Sequence, residues 1–329
     1  MLVVLAVLAG CGQDKTVWKL TGPTMGTAYH ITLVDVPEGV ERAELQTAID
    51  AELDAVNQEM STYIPDSELM RFNRASVGEP VDVSAHLAEV IERSLEIYRN
   101  SSGAFDVTVG PLVNLWGFGP DLEPEVIPDA AQIRALREQI GSDALRIDGQ
   151  QLSRSRPVEI DLSAIAKGHG VDRVADLLVQ RGIANFLVEI GGELRTGGVN
   201  PSGKTWRIGI ERPSAGQVVQ QPIQVSDRGV ATSGDYRNYY ERDGKRYAHI
   251  IDPRTGAPVE HRLASVTVIA GTCAEADGYA TALNVMGAEA ALQLAEELQL
   301  AVFLLVKTDS GFEERASSAF QPYLESQGR

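Results

Sequence analysis

Short runs of β-branched and large apolar residues punctuate this chain, and they limit what it can fold into. Asn185–Ile190 (NFLVEI), Ser265–Ala270 (SVTVIA) and Ala301–Val306 (AVFLLV) are of strand length and too apolar to leave a whole face in water. Thr27–Val34 and Trp206–Glu211 mix or alternate apolar with polar residues, as half-buried strands do. Other segments carry the helical period. Glu41–Met60 puts Leu45, Ile49, Leu53, Val56 and Met60 on one stripe. Ser84–Arg99 does the same with Leu87, Val90, Ile91, Leu95 and Tyr98, and Ser84 stands where an N-cap belongs. Asp129 caps a helix carrying Ile133, Leu136 and Ile140. Ser163–Arg181 turns Val171, Val174, Leu177 and Leu178 inward and stops at Gly182, and two more helices fall near Cys273–Val285 and Ala288–Leu298. Strands outnumber helices and come in hairpin-like runs. The pattern predicts an α+β fold of mixed, mainly antiparallel sheets covered by helices, in one compact unit.

Charge narrows the choice of ligand. The 329 residues carry a formal net charge of −17, with no basic stripe, which argues against a nucleic-acid partner. An anionic ligand is repelled at long range, so a bound phosphate group needs a cation, a lysine or backbone N–H groups close by. The only cysteines are Cys11 and Cys273, which excludes a disulfide framework and leaves Cys273 as a plain buried thiol. Residues 1–10 (MLVVLAVLAG) are apolar, uncharged and too few to span a bilayer. They run into Leu8-Ala9-Gly10-Cys11, which resembles a bacterial lipoprotein signal without its basic n-region; the other reading is a buried N-terminal strand. On the lipoprotein reading, 1–10 is a signal segment and 11–19 a tether from an acylated Cys11. Residues 20–329 then form a domain held on the periplasmic side of a bacterial membrane. Gly117–Pro128, rich in proline and glycine, reads as an ordered loop or lid.

Three clusters could carry chemistry. Asp277 and Thr281 lie at i and i+4 of an apolar-periodic segment, so a carboxylate and a hydroxyl share one helical face and suit a hard cation such as Mg²⁺. Such spacing is common on solvated faces, but Ala276, Ala280, Leu283 and Asn284 point to a helix packed inward. In VEIDLSAIAKG, a strand ending at Asp161 and a helix opening near Ser163, with Lys167 one turn on, make either a diphosphate seat or an ordinary cap. His249, in YAHIIDPRTG, stands near a strand end before a turn at Pro253 and Gly256, as a core or surface residue or as a general base. No two histidines have zinc-ligand spacing, and neither GxGxxG nor GxxxxGK[ST] occurs.

Taken in order, TMGTAY at 24–29, STY at 61–63, GAFDVTVGPLVNLWGFGP at 103–120, VEIDLSAIAKGHGVDRVADLL at 158–178, VEIGGELRTGG at 188–198, ATSGDYRNY at 231–239, HIIDPRTGAPV at 249–259 and ADGYATALNVMG at 276–287 resemble the ApbE family of FAD:protein FMN transferases. The resemblance spans nearly the whole chain. It implies a Mg²⁺ held by the Ala164 carbonyl and the side chains of Asp277 and Thr281. It implies FAD contacts at Met25, Tyr63, Ala104, Phe105, Asp106, Asp161, Lys167 and Ile250, and His249 as the base that deprotonates the accepting hydroxyl. The acceptors it implies are Ser or Thr residues of flavin-carrying subunits in sodium-pumping NADH:quinone reductase or Rnf-type complexes. Hydrolysis of FAD to FMN and AMP, and FAD binding without turnover by a periplasmic lipoprotein, are the alternatives. One departure is His169, where many relatives carry an aromatic ring.

Overall fold

Eight strands form one sheet and follow one another across it in chain order: Val17–Thr24, Thr27–Val34, Asn185–Ile190, Glu193–Gly197, Gly229–Gly234, Leu263–Ala270, Ala301–Thr308 and Gly311–Ala316. Every ladder among them is antiparallel. The computed structural model describes residues 16–119, 127–213, 219–234, 239–242 and 244–324. Smaller sheets lie outside the main one, including the hairpin of Trp206–Glu211 with Val219–Val225 and that of Tyr239–Arg242 with Lys245–Ala248. The chain is thus α+β, and among the described residues its pairing is antiparallel throughout.

Helices cover the sheet where the sequence periods place them. The helix α1 (Arg42–Met60) buries Leu45, Ile49, Leu53, Val56 and Met60, the expected stripe. After α2 (Glu68–Arg74), helix α3 (Ala85–Asn100) starts at Ser84, whose hydroxyl accepts the Leu87 N–H at 3.1 Å. The short α4 (Gly110–Leu115) precedes α5 (Ala130–Arg137), which opens on a capping box between Asp129 and Gln132. Ile140 falls beyond the end of α5 yet is buried, because it joins a satellite cluster with Trp116 and Tyr247. The central pair is α6 (Ala166–Gln180) and α7 (Cys273–Met286), followed by α8 (Ala288–Glu297). Val171, Val174 and Leu178 of α6 pack with α1 against Ile31, Leu33, Val188 and Ile190 of the sheet. Leu263–Ala270 is buried at every position, since Val266 and Val268 meet the α7 side and Ile269 joins the cluster of Ile223, Phe303 and Phe320.

Two boundaries differ from expectation. Val17–Lys19, expected in the tether, pair with Thr32–Val34 as the start of an edge strand, and Trp18 packs on the core. Val158–Asp161 does not form a strand and α6 begins at Ala166 rather than Ser163. The reason is local: the Asn73 side chain accepts the Ile160 N–H at 2.8 Å and donates to its carbonyl at 2.9 Å, while the Asp161 N–H donates to Val107 at 2.7 Å. Side chains and a loop carbonyl satisfy what a neighbouring strand otherwise would. Residues 1–15, with Cys11 and the signal segment, and residues 120–126 of the Pro- and Gly-rich stretch lie outside the described residues.

The approach of α6 to α7 positions the site. A Cβ on Gly168 would lie 2.5 Å from the Cys273 carbonyl oxygen and 2.8 Å from Ala274 Cα, so only glycine allows this crossing. Asp172 of α6 then reaches the start of α7, accepting the N–H groups of Cys273 and Ala274, each at 2.9 Å, and pairing with Arg195 at 3.0 Å. Burial holds the Asp172 carboxyl up at about 6 against those bonds and Arg195. Cys273 is the expected buried free thiol, pushed up by burial and by the carboxylates around it.

Candidate active site

A cavity of about 720 Å³ opens where the start of α6, the middle of α7 and the head of the Glu193–Gly197 strand converge. Asp161, Ala164 and Lys167 line it from one side, and Asp277 and Thr281 from the other. The decisive bond lies between them. Gly168 N–H donates to Asp277 Oδ2 at 3.1 Å. In an unbroken helix that N–H would turn to the carbonyl four residues back, which is Ala164. Here Ile165 is the N-cap, so the Ala164 carbonyl keeps no helical partner, and Ala164 lines the cavity that Asp277 and Thr281 also line.

The electrostatics of this corner are strained. Asp277 is 5% exposed, and burial pushes its carboxyl up, opposed by the Lys167 ammonium and the Gly168 N–H. Lys167 Nζ pairs with Glu193 Oε1 at 2.6 Å. Burial pulls the Lys167 ammonium down, but Asp277 and Glu193 outweigh it and raise it to about 12, so it stays charged. Burial and then Asp277 lift Glu193 to about 7, and its Oε2 has no partner. A buried carboxylate short of donors, a free carbonyl and a hydroxyl one turn along form the oxygen set that a hard divalent cation takes. Among the described residues no group of three His, Cys, Asp or Glu could hold a metal, so any cation here relies on carbonyl and hydroxyl oxygens too.

Asp161 closes an Asx turn, its Oδ1 accepting the Ser163 N–H at 2.8 Å and the Ser163 hydroxyl; it caps that turn rather than α6. Asp106 lines the cavity but spends Oδ1 on Thr108 N–H, Thr108 Oγ1–H and Ser142 Oγ–H at 2.6–2.8 Å, which pins the Ala104–Phe105–Asp106 loop. Tyr63 lines the mouth and is 73% exposed. Ile250 lines the wall in a small cluster with Ala104 and Val285. Met25 is not brought to the cavity wall; its thioether packs against Gly170 of α6, which a Cβ there would approach to 3.1 Å. His169 points away as well, into a buried contact with His86 at 5.9 Å between ring centroids.

His249 follows the Lys245–Ala248 strand and lines the cavity, as the turn at Pro253 and Gly256 requires. An aromatic stack holds it there. Trp116, Tyr247, Tyr240 and Phe118 stack in turn at 5.2–5.7 Å, and Phe118 meets the His249 ring edge-on at 6.4 Å. Trp116 Nε1–H donates to the Gly256 carbonyl at 2.8 Å, fastening the turn.

The profile of the ApbE family matches residues 25–304. The chain belongs to the ApbE family. FAD:protein FMN transferases of Vibrio cholerae serotype O1 and Escherichia coli K12 are similar to it. The first is 50% identical over 325 residues, 98% of this chain and 97% of the relative. The second is 40% identical over 341 residues, 99% and 97%. Among solved structures, the flavin transferase ApbE from Vibrio cholerae matches with a TM-score of 0.88 at 49% identity, over 94% of this chain and 100% of that one. The apo flavinyl transferase ApbE of Pseudomonas stutzeri matches with the same score, 0.88, at 40% identity. The fold is thus that of the ApbE flavin transferases, and all the residues expected in the site except Met25 line the cavity. Glu193 escaped the sequence reading, although a charged residue after Gly191-Gly192 at the head of an otherwise buried strand was the signal that could have found it.

Proposed function

We propose that this chain transfers FMN from FAD to a Ser or Thr hydroxyl of a target protein and releases AMP, with a divalent cation, Mg²⁺ first, as cofactor. The observation that carries this reading is the Gly168–Asp277 bond, which ties α6 to α7 so that Ala164, Asp277, Thr281 and Lys167 line one cavity. The Ala164 carbonyl, Asp277 and Thr281 would hold the cation, whose chemistry is to neutralise charge on the diphosphate. Lys167, kept protonated, offers the second positive charge that a −17 protein needs near a diphosphate. The Tyr63 ring at the mouth and the Phe105 and Ile250 walls supply surface for flat rings. His249 takes the proton of the accepting hydroxyl as its oxygen bonds to the FMN-side phosphorus. The bond from that phosphorus to the bridging oxygen breaks, and AMP leaves with that oxygen.

Incubated with FAD, Mg²⁺ and an acceptor domain, the chain should add the mass of FMN to the acceptor, and EDTA should abolish the gain. No gain on a verified acceptor removes the reading; AMP and FMN released without an acceptor identify a pyrophosphatase. Flavin-carrying subunits of sodium-pumping NADH:quinone reductase or Rnf-type complexes are the acceptors to try. The envelope location is part of the proposal: Cys11 should carry acyl chains and fix the domain to a membrane, which the mass of the N-terminal peptide tests. An unmodified Cys11 on membrane-associated protein excludes it.

A further inference from the structure

Glu193 has a part in the site that neither holding a metal nor touching the flavin explains. It is the first residue of the Glu193–Gly197 strand, 5% exposed, and follows Gly191 and Gly192, whose φ values of 63° and 109° turn the chain into the cavity wall. One carboxylate oxygen grips Lys167 Nζ at 2.6 Å; the other, Oε2, is buried on the wall with no partner. Asp277, also buried, lines the same cavity, and Lys167 is the cation that both carboxylates act on. Anchoring Lys167 takes only one of these oxygens, so that role leaves the buried, partnerless Oε2 and its share of the charge unexplained.

We propose that Glu193 makes dinucleotide entry wait for the divalent cation: two buried carboxylates against one ammonium leave the diphosphate seat negative until a dication reverses its sign. The residue is a positioning and gating group, acting through Lys167 and through the charge of the seat. This rests on the reading of the cavity as an FAD and Mg²⁺ site. Without a cation, an incoming diphosphate meets an unneutralised carboxylate across a poorly screened wall; with one, the seat is net positive and attracts it. The seat is net negative when empty and net positive with the dication, so it does not fill with FAD that it cannot turn over.

The test is equilibrium binding of FAD to the full chain at pH 8, followed by flavin fluorescence, once in EDTA and once in Mg²⁺, with intact FAD verified by chromatography. Wild type should bind far more tightly in Mg²⁺. Glu193→Gln keeps an oxygen for Lys167 but loses the charge. It should bind FAD in EDTA on the order of tenfold more tightly than wild type and gain less from Mg²⁺. Glu193→Asp keeps the charge and should retain the wild-type dependence on Mg²⁺. A merely structural Glu193 predicts the opposite sign, weaker binding in both buffers. Should Glu193→Gln fail to fold, Glu193→Met, neutral and close in volume, gives the same reading; if both neutral variants unfold while Glu193→Asp folds, the residue holds the fold and the gate is overturned. Wild type binding FAD only with Mg²⁺, beside a Glu193→Gln variant no tighter in EDTA, rejects the gate and leaves the site standing. Wild type that binds no FAD in either buffer rejects both.

Discussion

His249 and Asp277 divide the proposed chemistry between a proton and a charge, so their variants should fail differently. His249→Ala should keep FAD affinity within about twofold while transfer slows by about 10²- to 10⁴-fold, the usual range for a positioned base. Asp277→Ala should lose the Mg²⁺ dependence of FAD binding itself, because the carboxylate that Gly168 orients is gone. Isothermal titration beside single-turnover transfer separates the two, and a His249→Ala enzyme of unchanged rate removes that residue as the base. A third residue answers to pH. His169 is held down to about 3, chiefly by burial and then by Arg173 and His86, and its Nε2 has no partner. The unfolded chain takes up this proton near the ordinary value of about 6.5 and the folded chain refuses it. The cost is therefore absent above about 6.5 and grows as pH falls toward 3. His169→Phe should flatten the loss of thermal stability between neutral pH and pH 4; a loss as steep as in wild type would show that other groups set the acid limit.

At the scale of elements, the site depends on how closely α6 and α7 approach. Gly168→Ala places a methyl against the Cys273 carbonyl and the Ala274 backbone, neither of which can rotate away. The expected cost is about 1–3 kcal/mol in chemical denaturation. A weaker response of FAD binding to Mg²⁺ should accompany it, because Asp277 is carried off the Gly168 N–H. Wild-type stability and wild-type Mg²⁺ response in this variant would mean that the crossing tolerates a methyl group and does not position the site. The first strand offers a second check. A chain beginning at Leu20 loses Val17–Lys19 from the ladder with Thr32–Val34 and uncovers the surface under Trp18. It should therefore melt below one beginning at Thr16.

For the molecule as a whole, the net charge of −17 works against a substrate of the same sign. Salt should therefore speed rather than slow the association of FAD at saturating Mg²⁺, by about twofold or more between low and physiological ionic strength. Stopped-flow fluorescence reads this directly. A rate that falls with salt would mean that the local field of Lys167 and the cation dominates the approach.

The amino-acid order was enough to fix the helices α1 and α3 and the strands Asn185–Ile190, Trp206–Glu211 and Ser265–Ala270, because period, length and cap residues are local properties. It also put Asp277 and Thr281 on one helix face, which i,i+4 spacing guarantees. It could not place Val158–Asp161, where Asn73, distant in the chain, replaces a strand partner. Nor could it show that Met25 turns to Gly170 instead of the cavity, or that Glu193 is drawn to Lys167. Those outcomes depend on which segments meet across α6, α7 and the sheet. Ion pairs and burial are properties of the assembled space, and no spacing along the chain encodes them.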